Sequence, residues 1–430
     1  MTDQRPARVY LVILCGAGDR PIAALGGRTP LEIAPTPELD ALARAGSIGR
    51  LRVIDESIPP ESDSGAMALL GYDPLVHYTG RGPLEALGAG FWPAAGSAVA
   101  FRINLASLDP ASGRLDRRTA RDLADDELQQ LAAEIRERVR LERCPSVRYE
   151  LTAFGRHRGI LCLTSEAVAL GGAVSNTDPG FRRAGVFGVP IARHAPQPAD
   201  CVPLDGSAGA AATAEAVNEF VRESARVLAS SAVNRRRRAA GRLPANVVLL
   251  RDAGDALPEL NGFRDRTGHT VALYGQVPAE RGLCMLVDGR FVPSAPRAGQ
   301  PAEDFHRELA PAVADDPASL VLIHLKGADE PSHDGRPLEK AAALAGIDSS
   351  FIGPLRRLLG TGDLLVVTGD HATPCELGIH AADPVPTLAY GPGIPADRAE
   401  RFTEREAAAG ALPVSHATAL VSYLAGAAVT

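Results

Sequence analysis

RVYLVILC, residues 8–15, is an almost unbroken apolar and β-branched run that stops at Gly16. A strand with one face in water alternates polar and apolar side chains. A run without alternation belongs to a strand covered on both faces, as in a parallel sheet held between helical layers. The stretch therefore reads as a central parallel strand. A helix follows it: Thr36, Pro37 and Glu38 supply a cap, a first-turn proline and a first-turn acid, Leu39, Leu42 and Ala43 keep helical spacing, and Gly46 is a stop. The same alternation returns late, with SLVLIHL at 319–325, a helical stretch over 338–359, DLLVVT at 363–368 and a further strand at Val385–Tyr390. Both ends of the chain are expected to build one sheet.

Between them the pattern changes. Over 90–235, short strand-like runs such as RGILCLT at 158–164 alternate with charged helical stretches such as 122–140, which reads as an inserted α+β domain. At 430 residues the chain exceeds what one hydrophobic core usually serves, so a core of 1–89 with 236–430 and an insert of 90–235 are expected. Arg235, Arg236, Arg237 and Arg238 precede AAGRLPANVVLL, where the chain should re-enter the core sheet. They read either as a solvated basic turn or as an anion-binding hinge.

Apolar residues make up 45% of the chain against 23% charged, which suits a folded core and not a disordered chain. A formal net charge of −7 argues against a nucleic-acid partner. The six cysteines show no CxxC pair, which fits a reducing compartment. The N-terminal apolar run is too short for a signal core or a membrane span, so the cytoplasm is expected and no membrane partner. Oligomeric state is not readable from the sequence.

Two clusters carry chemistry. Asp329 and His333, in HLKGADEPSHDG, follow one strand; Asp370 and His371, in VVTGDHATP, follow another, and His380 comes nine residues later. Ligands bind beyond the carboxyl ends of strands in open α/β sheets, so both clusters are placed at one rim. Singly, such Asp/His pairs are more often surface or capping pairs; together they offer five ligand-type side chains, enough for two adjacent divalent ions. Ser62, in PPESDSGAMALL, precedes a helix expected to begin near Asp63. It reads as a plain N-cap, or as a nucleophile among free amides that stabilise a transferred phosphoryl group.

The order and wording of the motifs resemble the archaeal-type cofactor-independent phosphoglycerate mutases of the alkaline phosphatase superfamily. The resemblance rests on GDRP at 18–21, LGGRTPLE at 25–32, SDS at 62–64, LLGYDP at 69–74, TGRGPLEALG at 79–88, FRINLAS at 101–107, DRRTAR at 116–121 and TDP at 177–179. HLKGADEPSHDG, TGDHATP and HAADPVP complete it over nearly the whole chain. It implies an alkaline-phosphatase-like core with a mostly parallel sheet flanked by helices, plus a substrate-clasping insert. It implies two divalent metal ions, manganese or zinc with magnesium also admissible, and a small anionic phosphorylated substrate. By this resemblance Ser62 takes the phosphoryl group. One metal sits on Asp329, His333 and His380; the other sits on Ser62, Asp370, His371 and an aspartate whose place is held here by Cys15. Lys326, Arg81, Arg102, Arg117, Arg118 and Arg236, with Asp116 and Asn104 from their motifs, are the groups expected around the substrate.

Three departures gather beside the nucleophile: Cys15, Glu61 where the family carries glycine, and Ala66 where it carries histidine. Cys15 reads as a thiolate ligand at about 2.3 Å biasing the site toward zinc, as a buried hydrophobe leaving the second ion under-ligated, or as a reactive thiol. Mutase activity between 3- and 2-phosphoglycerate is the leading expectation. The rivals are a phosphatase or phosphotransferase acting on another phosphorylated or phosphonate hydroxy acid, and a binding protein that has lost catalysis.

Overall fold

The computed structural model describes residues 7–93, 96–109, 111–117, 122–155, 157–193 and 195–427. Among the described residues fourteen strands run in chain order as β1 (Val9–Leu14), β2 (Ser47–Leu51), β3 (Ser97–Leu108), β4 (Leu115–Asp116), β5 (Arg148–Phe154), β6 (Arg158–Ser165) and β7 (Phe181–Ala184). They continue as β8 (Phe187–Pro190), β9 (Val247–Gly254), β10 (Val271–Gly275), β11 (Arg290–Pro293), β12 (Leu320–Leu325), β13 (Leu364–Thr368) and β14 (Val385–Tyr390). The chain divides into two compact units, Met1–Tyr78 with Glu259–Thr430, and Thr79–Pro258.

The first unit holds a seven-stranded sheet in the order β11-β10-β12-β1-β13-β14-β2. The pairs among β11, β10, β12, β1 and β13 are parallel, and β14 is antiparallel to both neighbours. β1 lies between β12 and β13, and its residues 10–14 are at most 1% exposed, as its unbroken apolar run requires. Tyr10, Val12 and Leu14 pack with Val321, Ile323, Leu344, Phe351 and Leu355, so helices 337–358 cover one face of the sheet. The helix Pro37–Ala45 forms where its cap and spacing placed it. The expected α/β class, mostly parallel and flanked by helices, is what the chain adopts.

The second unit is built on an antiparallel sheet, β4-β3-β6-β5, with β9 on the other side of β3. Helices Asp125–Arg138 and Ala208–Ala229 pack their apolar stripes on it, Leu128, Leu131, Ile135, Val217 and Phe220 among them. Its edges differ from the expected 90–235. The helix Arg81–Ala89 belongs to this unit, where Ala86 packs with Ala100 and Cys162. The NVVLL run does not re-enter the core sheet but becomes β9, pairing Leu250 with Ile103 and Val248 with Leu105. A strand covered on both faces looks the same whichever sheet it joins. Among the described residues no helix is long and apolar enough to cross a membrane.

Candidate active site

Parallel pairing brings the expected metal-binding residues to one edge of the core sheet. Leu14 lies opposite Leu325, and Ile13 opposite Thr368, so β12, β1 and β13 end level with one another. Cys15 follows the first of these in sequence, Lys326 and Asp329 the second, Asp370 and His371 the third. Cys15 Sγ stands 3.4 Å from Asp370 Oδ2 and 3.7 Å from His371 Nε2. Among the described residues two ligand groups result, each with its atoms within 4.8 Å of one another: Cys15, Asp370 and His371, and Asp329, His371 and His380. His371 thus faces both. His333 falls outside the second group but keeps Nε2 3.3 Å from Asp329 Oδ2. Two glycines permit the approach. A Cβ on Gly16, at φ 68°, would stand 2.7 Å from Asp329 Oδ1, and one on Gly65 would stand 2.6 Å from the carbonyl oxygen of Asp370.

The three imidazoles share one arrangement. Nδ1 of His333 is 2.8 Å from the carbonyl oxygen of Gly378, Nδ1 of His380 is 2.9 Å from that of Pro60, and Nδ1 of His371 is 3.0 Å from Thr373 Oγ1. A proton on Nδ1 donated to a carbonyl leaves the Nε2 lone pair turned inward, which is how ligating histidines are commonly held. Thr373 in turn donates to Asp329 Oδ1 at 2.9 Å. Burial alone would raise Asp370, but His371, His324 and Lys326 outweigh it and hold the carboxyl well below the usual range. Asp329 is lowered against its burial in the same way by His333, His371 and His380. Burial, and then His371, push His380 down to about 4. Buried ionised carboxylates and inward-facing imidazole nitrogens form a donor set that fits divalent cations.

Cys15 is the soft member of that set. Burial first, and then Asp370, hold its thiol above the ordinary range, with Lys326 opposing them. Ser62 opens the helix Ser62–Leu69, and its N-cap is Glu61. The Glu61 N–H donates to Ser64 Oγ, and the Ser64 hydroxyl donates to the Glu61 carbonyl, both at 3.0 Å. Capping therefore falls to Ser64, and the plain N-cap reading of Ser62 is corrected. Its hydroxyl lies 3.3 Å from Lys326 Nζ and 3.7 Å from Cys15 Sγ. The Glu61 carboxylate turns to His380, 3.5 Å from Nδ1. Ala66 is fully buried in the helix.

The second unit holds buried arginines of its own. Glu85 Oε1 accepts from Arg81 Nε at 2.8 Å and also pairs with Arg102. Burial lowers Arg102 to about 9; Glu85 opposes this, while Arg81, Arg158 and Arg251 add to it. Arg251 pairs with Asp252 and stacks on Phe181 at 4.0 Å. Arg117 grips Asp178 with two bonds of 2.5 and 2.7 Å. Asn104 lies within β3, and Asp116 is exposed at the end of β4. Arg118 lies outside the described residues. The four-arginine run is neither turn nor hinge but part of the helix Ala232–Ala239. Within it Arg237 is buried against Asp122 and Glu127, and Arg236 bonds Gln130 at 3.0 Å. Arg158, Arg251, His324 and Glu280 were not singled out in the sequence. Of these only His324 carried a signal, standing near the end of a strand run two residues before Lys326.

Fold and site together define a class: an α/β protein whose sheet edge gathers carboxylates, imidazoles and a helix-starting hydroxyl of the kind used in metal-assisted phosphoryl transfer. The profile of the family described as 2,3-bisphosphoglycerate-independent phosphoglycerate mutase matches residues 43–234. The mutase of that name from Methanoculleus marisnigri is 38% identical over 94% of this chain and 93% of its own. That of Aeropyrum pernix is 36% identical over 89% and 90%. Among solved structures, a Pyrococcus horikoshii protein covers 99% of this chain and 98% of its own at 28% identity, with a TM-score of 0.74. The cofactor-independent phosphoglycerate mutase of Thermoplasma acidophilum covers 98% and 100% at 29% identity, with a TM-score of 0.55. The chain belongs to the 2,3-bisphosphoglycerate-independent phosphoglycerate mutase family.

Proposed function

We propose that this protein interconverts 3-phosphoglycerate and 2-phosphoglycerate through a phosphoserine on Ser62. The observation that carries this reading is the Ser62 hydroxyl, released from capping and set 3.3 Å from Lys326 Nζ beside Cys15, Asp370 and His371. Two divalent ions, manganese or zinc, would be held by Asp329, His333 and His380 and by Ser62, Asp370, His371 and Cys15, and would supply Lewis-acid charge to the phosphoryl oxygens.

The chain's own groups do the rest. Ser62 Oγ forms the new P–O bond as the ester bond to the glycerate oxygen breaks; the serine proton is given up, and the departing alkoxide gains one. Glycerate then turns, and its other hydroxyl repeats the exchange in reverse, restoring Ser62 and its proton. Lys326 sets positive charge where the phosphoryl oxygens arrive, and the first-turn amides of the helix face the same point. Arg81, Arg102 and Arg117 are groups of the kind that recognise a phosphate or a carboxylate. With manganese or zinc added, 3-phosphoglycerate should be converted, and Ser62→Ala should lower turnover roughly 10³-fold or more. No turnover with either metal would sink the proposal.

The thiol at Cys15 and the carboxylate of Glu61 favour one second reading, a phosphatase or phosphotransferase acting on another phosphorylated or phosphonate hydroxy acid. Phosphate release from a small ester outpacing mutase turnover would select it.

A further inference from the structure

The core unit buries a second charged string that the reaction above leaves unused. Glu280 and His324 are both 0% exposed. Glu280 is the third residue of the helix Pro278–Leu286, and its Oε2 accepts from the backbone N–H of Gln276 at 2.6 Å and of Val277 at 3.1 Å. Those bonds account for a helix cap. They do not account for the other oxygen, which points into the site: Oε1 lies 2.7 Å from His324 Nδ1 and 3.3 Å from Lys326 Nζ. Both neighbours are basic groups, so charge holds this oxygen in place. The string continues on the far side of the imidazole, where His324 Nε2 stands 3.0 Å from Asp370 Oδ2 and 3.0 Å from Lys326 Nζ.

A fully buried carboxylate costs several kcal/mol unless paired, and a short polar side chain could cap the helix without that cost. The use of Glu280 lies in what it touches. Lys326 reaches Ser62 Oγ at 3.3 Å and Cys15 Sγ at 3.5 Å, and a long flexible ammonium needs a fixed counter-charge to stay there. Asp370 Oδ1 accepts from the Gly16 N–H at 3.2 Å, which leaves Oδ2 for His324 to orient.

We propose that Glu280 and His324 are a positioning pair: Glu280 anchors Lys326 against the Ser62 hydroxyl and, through His324, fixes the carboxylate of Asp370 for its cation. This rests on the reading of Ser62 as acceptor and Asp370 as ligand. Neither residue touches substrate; they act through Lys326, which faces the phosphoryl group, and Asp370, which would hold a cation.

The test uses the full chain, stripped of metal and titrated with zinc or manganese, alongside steady-state kinetics on 3-phosphoglycerate. Glu280→Gln keeps the acceptor for the two backbone amides but turns a neutral amide to Lys326. It should weaken one of two metal ions by roughly 10–100-fold and lower kcat similarly, with KM within about twofold. His324→Asn should do the same, and the double variant should be no worse than either single one, because the two residues act as a unit. Glu280→Asp, which keeps the charge, should recover part of the loss. Unchanged metal affinity in Glu280→Gln and His324→Asn, additive losses, or a fall in melting temperature with metal affinity and kcat of the folded protein intact would each overturn the pair and leave Glu280 a helix cap. If wild type turned over no substrate, the proposed function would fail, and the metal titration would still decide the role of the pair.

Discussion

The rim of the core sheet and the arginine nest of the second unit both bury charge, but they balance it differently. At the rim, opposite signs interleave: Asp370 meets His371 and His324, Glu280 meets His324 and Lys326, and Asp329 meets three imidazoles. In the nest, like charge gathers: Arg81, Arg158 and Arg251 bear on Arg102, beside the carboxylates of Glu85 and Asp252. The rim is a set of inward-facing donors, whereas the nest crowds guanidinium groups around shared carboxylates.

The strongest way to break this comparison is to remove the one carboxylate that two buried guanidiniums share. Glu85→Ala should cost about 3–5 kcal/mol in denaturant unfolding, because it leaves uncompensated charge in a dry site. Adding Arg102→Met should restore much of that. A loss below about 1 kcal/mol would mean the nest is wet, with its charge already screened.

A smaller effect tests the rim. Cys15→Asp replaces a soft sulfur donor by a hard oxygen one, so manganese and magnesium should gain on zinc by at least the roughly tenfold that even outer-shell changes produce. Competitive metal titration reads this directly. An unchanged preference would mean that Cys15 does not ligate.

The same contrast explains what could be read from the sequence. β1, β12 and β13 were legible because parallel strands buried on both faces are continuous apolar runs, and the rim was legible because its ligands follow those runs within a few residues. The nest was not. Arg158 and Arg251 stand in strand runs 93 positions apart, and β3 alone, pairing with β6 on one side and β9 on the other, brings them together. NVVLL could not announce its sheet, since antiparallel pairing to β3 is a tertiary fact. Glu280 looked like any first-turn acid favoured by the helix dipole, and only the fold reveals that its second oxygen faces His324 and Lys326.

The comparison sharpens where the core unit buries titratable groups without a counter-charge. Asp348 is fully buried and accepts from the N–H groups of Leu39 at 2.7 Å and Glu38 at 3.1 Å; burial nevertheless raises its carboxyl to about 6. His306, against Ser350 Oγ at 3.0 Å, is pushed down to about 4 by burial. The signs are opposite. Between about pH 4 and 6 the fold keeps a proton on Asp348 that the unfolded chain has released, so acidification stabilises through this group. From about 6.5 down to 4 the unfolded chain gains a proton that folded His306 refuses, so acidification destabilises through that one. In the natural protein the two largely cancel. Asp348→Asn should lose stability relative to wild type on going from pH 6.5 to 4, and His306→Gln should gain it, each by on the order of 1 kcal/mol. Urea unfolding at the two pH values measures both differences. If they share a sign, or if neither changes with pH, these groups are solvated in the fold, and burial without a partner does not set their protonation.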